Sequence, residues 1–179
     1  MHTKPVGGFT LIEVLVAILV LAIGVLGAAR AQLAAMQTRQ TTGLMSSGVQ
    51  LAGALAERMR ANTANPYLAL NYDALADGPP APPGTLCFAQ VECDSAQMAA
   101  FDLYEVAQAV HAGFPGGRVK VCRDAAIATG AGAALAWPCA GGANAPIVIK
   151  LGWRIKGDQA SDENTFAPAV AIVAAGAPS

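Results

Sequence analysis

The apolar positions are concentrated at the start of the chain. Residues 1–8 are polar with Lys4 as their one fixed positive side chain, and residues 9–29 are largely apolar with Glu13 as their only charge. A helix of about 20 apolar residues spans the roughly 30 Å hydrocarbon core of a bilayer. The apolar part of a cleaved secretory signal is shorter, about 7 to 15 residues, and a small-residue cleavage site follows it. Here Arg30 leads into more helix-forming sequence, so the pattern predicts a span that stays in the membrane.

A second, amphipathic half of the same helix is predicted over residues 30–62. The sequence contains no proline between residue 30 and Pro66. Apolar side chains recur near the 3.6-residue period of a helix, at Leu33, Met36, Leu44, Val49, Leu51, Leu55 and Met59. Gly43, Gly48 and Gly53 fit close packing between helix faces, whereas Gly24 and Gly27 fit either packing or a hinge. The pattern predicts a long stem that leaves the membrane and covers a globular head.

The head, residues 63–179, is predicted to be a small α+β domain. Residues 95–111 have helical periodicity, with Asp94 or Ser95 as the N-cap. Residues 118–122 and 166–173 fit strands, and Pro168 suggests that the last strand lies at an edge. Residues 147–155 alternate most clearly, which predicts an antiparallel strand with one buried face.

Composition and charge exclude two broad classes. The chain is 54% hydrophobic and 13% charged, with a formal net charge of −1. These values exclude a disordered polar chain and a generally basic nucleic-acid binder. The acidic excess of the head also argues against binding to a DNA backbone, and a local patch at Arg118, Lys120 and Arg123 is the remaining alternative.

Four cysteines lie in the head: Cys87, Cys93, Cys122 and Cys139. Four cysteines allow three pairings, and local order favours Cys87 with Cys93 and Cys122 with Cys139. Disulfides persist in an exported domain; free thiols are the alternative if the head is not exported. No C-x-x-C spacing is present and His111 is the one nearby histidine, so a metal site is not expected.

The presence of Glu13 in the span needs an explanation, because a carboxylate inside a membrane span is costly and is by default a functional candidate. Cleavage between Gly8 and Phe9 would create an α-amine on Phe9, and such amines are largely cationic at neutral pH. Glu13 lies about one helical turn further on. The amine of its own chain or of a neighbouring subunit is therefore the expected partner of this carboxylate.

These residues carry a resemblance to a known family. Lys4, Gly8 and the run Phe-Thr-Leu-Ile-Glu at residues 9–13 resemble the type III leader of type IV pilins and pseudopilins. The resemblance implies that a prepilin peptidase cuts after Gly8 on the cytoplasmic side and methylates the amine of Phe9. It also implies that Glu13 is the assembly glutamate, and that a long N-terminal α-helix packs on a small antiparallel β-sheet head. A plain signal anchor is the alternative.

Internal segments resemble the PilV group of minor pilins. They are residues 57–62 (Glu-Arg-Met-Arg-Ala-Asn), the helix leading to Phe-Pro-Gly-Gly at 114–117, and the strand that contains Trp153. This resemblance implies a minor pilin that acts in the initiation of pilus assembly or in a tip complex. A type II secretion pseudopilin is the alternative, and an adhesive or DNA-uptake pilin is a further one.

The resemblance also implies a location and partners. The chain would be a single-pass protein of the bacterial inner membrane with a periplasmic head, and would later join the filament or its tip. Its partners would be prepilin peptidase, other minor pilins, the major pilin, the inner-membrane assembly platform and, before assembly, membrane lipid. No nucleic acid is expected as a partner.

Catalytic motifs are absent from the sequence, which contains no P-loop and no G-x-S-x-G, H-E-x-x-H or G-x-G-x-x-G run. An enzyme anchored in the periplasm is therefore disfavoured, and no cofactor is expected. Some pseudopilins have calcium-binding acidic loops, and residues of that type cluster at Asp158, Asp162, Glu163 and Asn164. Because the spacing of an EF-hand is missing, a solvated hairpin loop is the preferred interpretation.

Overall fold

The computed structural model describes residues 10–62, 65–88, 91–129, 134–154 and 166–175. The chain divides into two compact units, Met1–Gly43 and Leu44–Ser179. The predicted leader and Phe9 lie outside the described residues, and so do the acidic loop and Ile155.

The first helix, α1, runs without a break over Leu11–Ala61, 51 residues. It begins where the N–H groups of Glu13 and Val14 donate to the carbonyl of Thr10 at 3.0 and 3.3 Å. Two arginines lie in its last turn, where cations interact favourably with the helix dipole. A 3₁₀ helix, Asn65–Ala69, follows. The single long helix predicted from the hydrophobic pattern is therefore present.

The second helix, α2, spans Ser95–Gly113. Asp94 is its N-cap, and its carboxylate accepts from the N–H of Gln97 at 2.8 Å, while the Gln97 side chain accepts from the N–H of Asp94 at 3.0 Å. This reciprocal capping box satisfies two helix-end donors. The helix continues two residues beyond the predicted end at His111.

Four antiparallel strands form the main sheet in the order β1-β2-β5-β6. Their bounds are Asn71–Asp73 for β1, Arg118–Arg123 for β2, Ile147–Gly152 for β5 and Val170–Ala175 for β6. Ala128–Thr129 and Ala134–Leu135 form a separate two-stranded pair, β3 and β4. This sheet and the long helix confirm the predicted α+β class. Strand β6 lies at the edge, with Pro168 just before it.

One face of the sheet carries the main core. Val119 lies opposite Leu151 and Val121 opposite Ile149, and all four are at most 1% exposed. They form one cluster with buried side chains of both helices, namely Ala52, Leu55, Ala56, Val106, Ala107 and Val110. The second half of α1 and α2 therefore cover the same side of the sheet.

The opposite face is also buried, so the prediction of a half-buried strand β5 is wrong. Val148 and Lys150 are both 0% exposed. Trp137 and Phe166 are buried as well and contact each other at 5.3 Å between ring centroids. The segment that follows β4 covers this face. The alternation of residues within β5 does not predict this packing. The strand also ends at Gly152, before the predicted end at residue 155.

The three glycines predicted to lie in close packing differ from one another. A Cβ at Gly48 would lie 3.1 Å from Leu151 and from Trp153, whereas Cβ atoms at Gly43 and Gly53 would meet nothing within 4 Å. Gly48 is closely packed, but against side chains of the sheet side and not against another helix as predicted, and Gly43 and Gly53 make no close contact within the described chain. Val49 is 47% exposed although it fits the apolar period.

Candidate assembly site

The first part of α1 presents an apolar surface that is not buried by any described part of the chain. An 18-residue window of the helix has a mean hydropathy of 2.8 and is 0% buried, so it is long and apolar enough to cross a membrane. Leu11 is 78% exposed and Leu26 is 67% exposed. Contact with water makes such a surface unfavourable by roughly 25 cal/mol per Å². Lipid or other apolar helices are the surroundings that remove this cost.

Glu13 lies in the first turn of α1 and is exposed. It shares a shallow groove with the apolar residues Val14, Ala17, Ile18 and Leu21. The carboxylate therefore lies on an otherwise apolar helix surface, as the sequence predicts. The predicted cleavage pair, Gly8 and Phe9, lies outside the described residues.

Both disulfides join cysteines that are neighbours in sequence. Cys87 is bonded to Cys93, and Cys122 to Cys139, which is the pairing that local order favours. The second bridge joins residues 17 apart, and closing a loop of about 15 residues stabilises a fold by roughly 3 kcal/mol. The first bridge closes a short loop beside α2, where Phe88 contacts Phe101 edge-on at 4.8 Å.

A buried ion pair lies beside the second disulfide. The Lys150 ammonium lies 2.5 Å from Asp124 Oδ2 and donates to the carbonyls of Ala136 and Pro138 at 2.6 and 2.8 Å. The other oxygen, Asp124 Oδ1, accepts from two backbone N–H groups. Burial opposes ionisation of Asp124, but the hydrogen bond from Lys150 and those two N–H groups hold its pKa below the usual value. Because the ammonium is fully buried between this carboxylate and two carbonyls, the pair is structural.

A polar network joins the end of α1 to α2. Arg58 Nη1 lies 2.9 Å from Asp102 Oδ1 and 2.6 Å from Glu105 Oε2. The Tyr67 hydroxyl donates to Asp102 Oδ2 at 2.5 Å. Burial and this hydrogen bond raise the pKa of Tyr67 to about 12. The partners lie 44 and 47 residues from Arg58, so no local sequence pattern could have paired them.

A third ion pair joins β1 to the second residue after β5. Arg154 donates to both oxygens of Asp73, at 3.1 and 2.9 Å, and to the carbonyl of Gly116 at 2.6 Å. Gly116 has φ +51°, and its missing Cβ leaves room for the Arg154 side chain. Burial opposes ionisation of Asp73, but the hydrogen bonds from Arg154 and Leu75 hold its pKa below the usual value. Sequence reasoning did not identify this pair.

The local basic patch considered as a nucleic-acid site does not form. Arg118 is 7% exposed and lies over the Trp137 ring at 4.7 Å. Arg123 donates to the carbonyl of Ala145 at 2.9 Å. Its position in β2 places it on the opposite face from Arg118 and Lys120, because successive strand residues alternate. Burial of Arg118 and the alternation of strand residues therefore prevent these three bases from forming one surface.

No metal-binding group is found within the described parts of the chain, where no three His, Cys, Asp or Glu side chains come together. The loop cluster of Asp158, Asp162, Glu163 and Asn164 lies outside those parts.

Comparisons with known families match two adjacent parts of the chain. The prokaryotic N-terminal methylation motif matches residues 3–29. The family described as type IV pilin Tt1218 matches residues 31–104. No curated protein and no solved structure is significantly similar to the chain. Neither matched family is the PilV group. The apolar helix and the α+β head agree with both matches, and over these two ranges the chain is similar to type IV pilins.

Proposed function

We propose that the chain is a minor pilin of a type IV pilus that acts in the initiation of assembly or in a tip complex. One observation carries the proposal: a methylation motif runs directly into a type IV pilin match along one continuous helix. The motif implies processing by prepilin peptidase and a pilus-related role with other pilins. The family is structural, and it is a pilin family that matches, which favours a pilus over a secretion system.

The proposed organisation follows the sequence. Residues 1–8 are the leader, residues 9–29 the span and assembly segment, residues 30–62 the second half of the helix, and residues 63–179 the periplasmic head. The span anchors the chain in the inner membrane before assembly. Two disulfides support export of the head, because disulfides persist in oxidising compartments.

Glu13 has a physical role in this proposal. A carboxylate at the centre of a span costs about 2.5 to 3.5 kcal/mol, and less towards its end. When stems pack together, the methylated Phe9 amine of a neighbour neutralises Glu13. Only subunits in the correct axial register form this pair, so Glu13 favours correct assembly. The proposed partners are other minor pilins, the major pilin and the assembly platform.

Replacement of the residue before the cleavage site tests processing. Gly8→Leu is expected to leave the chain at full length, because the peptidase would no longer accept the residue before the cut. Gly7→Leu is the matched control and is expected to be cleaved. Intact-mass measurement of the membrane-bound protein distinguishes the two results. A Gly8→Leu chain that begins at methylated Phe9 contradicts the proposal.

Removal of the intramembrane charge tests assembly separately. Glu13→Ala is expected to insert and be cleaved normally but to enter filaments several-fold less, because it cannot pair with the neighbour's amine. Val14→Ala, the adjacent control, keeps the charge. Incorporation is measured by immunoblotting sheared pili against the membrane fraction. Equal incorporation of Glu13→Ala and wild type would show that the carboxylate has no assembly role.

The proposed role as a minor pilin is tested by the abundance of the chain in filaments. Deletion of the chain is expected to reduce the number of pili, while purified pili contain the chain at a low ratio to their main subunit. Quantitative mass spectrometry of purified filaments gives this ratio. Finding the chain as the bulk subunit would refute the minor role while leaving the pilin family intact.

A further inference from the structure

The charges of the chain are separated along its sequence. Between Glu13 and Glu57 the two charged residues are Arg30 and Arg39, and both are bases. Residues 61–117 contain six acids and no lysine or arginine. Opposite charges on two surfaces steer and orient their association.

The acidic part of the head includes a small exposed apolar surface around the first disulfide. Leu86, Phe88, Val91 and Met98 are between 39% and 55% exposed. The carboxylates of Glu92 and Asp94 are exposed among them. We call these six residues the disulfide-loop surface.

The disulfide-loop surface is held in place before any partner arrives. The Cys87–Cys93 bond closes the loop, and Phe88 packs edge-on against Phe101 of α2. The capping box fixes Asp94 at the start of that helix. Because these residues lose little freedom on binding, a contact there incurs a smaller entropic cost than one made by an unrestrained loop.

The complementary surface lies in the same chain, on the stem just after the predicted span. Residues 30–39 of α1 present Leu33 at 62% exposure and Met36 at 67%. Arg30 and Arg39 are exposed on the same segment. Since i and i+3 residues are neighbours on a helix, Leu33, Met36 and Arg39 form one continuous strip. This strip combines apolar and basic side chains, whereas the head surface combines apolar and acidic ones.

We infer that the disulfide-loop surface of one subunit binds the stem segment 30–39 of a second copy of this chain. Apolar side chains on both surfaces are covered, and Arg39 or Arg30 lies against Glu92 or Asp94. Each pair of exposed opposite charges contributes little alone, about 0 to 1 kcal/mol. Confinement of both copies to one membrane or filament raises their effective concentration, so a small contact suffices. The inference goes beyond the proposed function, because it specifies the partner and requires two copies side by side.

Photo-crosslinking in membranes identifies the partner directly. A benzophenone amino acid replaces Val91, and a second variant carries it at Met98, so that poor folding of one does not leave the question open. The same probe at Leu75, which is 68% exposed outside the surface, is the control. Two differently tagged full-length copies are expressed together, and their adducts are mapped by mass spectrometry. The expected result is an adduct between the two copies within residues 30–39 from both probe positions but not from Leu75.

Adducts with other proteins, with lipid or with another part of the second copy, and an absence of adducts from both probe positions, each overturn the inference. Charge reversal then tests the electrostatic part: Glu92→Arg is expected to lower the yield several-fold, and Arg39→Glu in the other copy to restore it. Failure of that restoration overturns the charge pairing. The crosslinking yields are measured in membranes before filaments form, so they are independent of pilus number. An unchanged number of pili after deletion of the chain, with normal crosslinking between the tagged copies, would refute the assembly proposal and not this inference.

Discussion

At the scale of single residues, Lys150 shows how a charge is accommodated inside a small sheet. It lies in the middle of β5 at 0% exposure, opposite Lys120 of β2. A buried ammonium is tolerated only when its charge and its donors are satisfied. Here a carboxylate and two carbonyls satisfy it. Those carbonyls belong to the chain before and after Trp137, so the ion pair fixes the segment that covers the second face of the sheet.

Lys150→Met is therefore expected to destabilise the head by about 3 to 5 kcal/mol, the usual cost of removing one partner of a buried pair. Adding Asp124→Asn is expected to recover part of this loss, because asparagine removes the unpaired charge and keeps an acceptor for the N–H groups of Ala126 and Ala140. Urea unfolding of a Leu44–Ser179 fragment measures both effects. A double variant less stable than Lys150→Met would contradict this account of the pair.

At the scale of elements, the contact between α1 and the sheet depends on Gly48. Glycine in a helix interior costs roughly 0.5 to 1 kcal/mol relative to alanine, so its presence needs a compensating contact. At position 48 that contact is the close approach of Leu151, Trp153 and Val170. Gly53 has no such neighbour within the described chain.

The two glycines therefore give opposite predictions in the isolated fragment. Gly48→Leu is expected to lower the free energy of unfolding by about 1 to 3 kcal/mol, as overpacking of a filled site does. Gly53→Ala is expected to raise it by about 0.5 to 1 kcal/mol through helix propensity. Chemical denaturation of both variants checks the signs. Equal effects at the two positions would show that the close neighbours of Gly48 do not restrict the size of the side chain at that position.

The elements also show what local patterns predicted well. The positions of α1, α2, β2 and β5 follow from periodicity and capping residues, since these depend on near neighbours. Strand β1 was missed because it has three residues, two of them Asn and Asp, which are depleted in strands. The pair β3 and β4 was missed because each strand has two residues.

At the scale of the whole molecule, the unit Leu44–Ser179 contains the long-range ion pairs described above and both disulfides. The pKa values of Asp73 and Asp124 are lower in the folded state than usual. When a folded carboxyl has a lowered pKa, the unfolded chain takes up protons first as the pH falls. Stability from these pairs is thus fully present above the unfolded pKa of about 3.9 and is lost as the pH falls below it.

The fragment Leu44–Ser179 is therefore expected to unfold more readily as the pH falls from about 4 towards the folded pKa values. Each carboxyl contributes a slope of at most about 1.36 kcal/mol per pH unit. Asp73→Asn is expected to flatten this slope while lowering stability at neutral pH. Thermal unfolding followed by circular dichroism from pH 3 to pH 7 checks both effects. An unchanged slope in Asp73→Asn would show that this carboxyl does not contribute.

The sequence by itself determined the features that depend on residues close together in the chain. These are the long apolar helix with Glu13 near its start, the cap of α2 and the neighbouring cysteines. Only the tertiary structure decided which distant residues meet: Arg58 with Asp102, Arg154 with Asp73, and Lys150 with Asp124. It also decided that both faces of β5 are buried. The physical reason is that alternation and helical periodicity report one element's own geometry, whereas burial and ion pairing depend on what another part of the chain places against it.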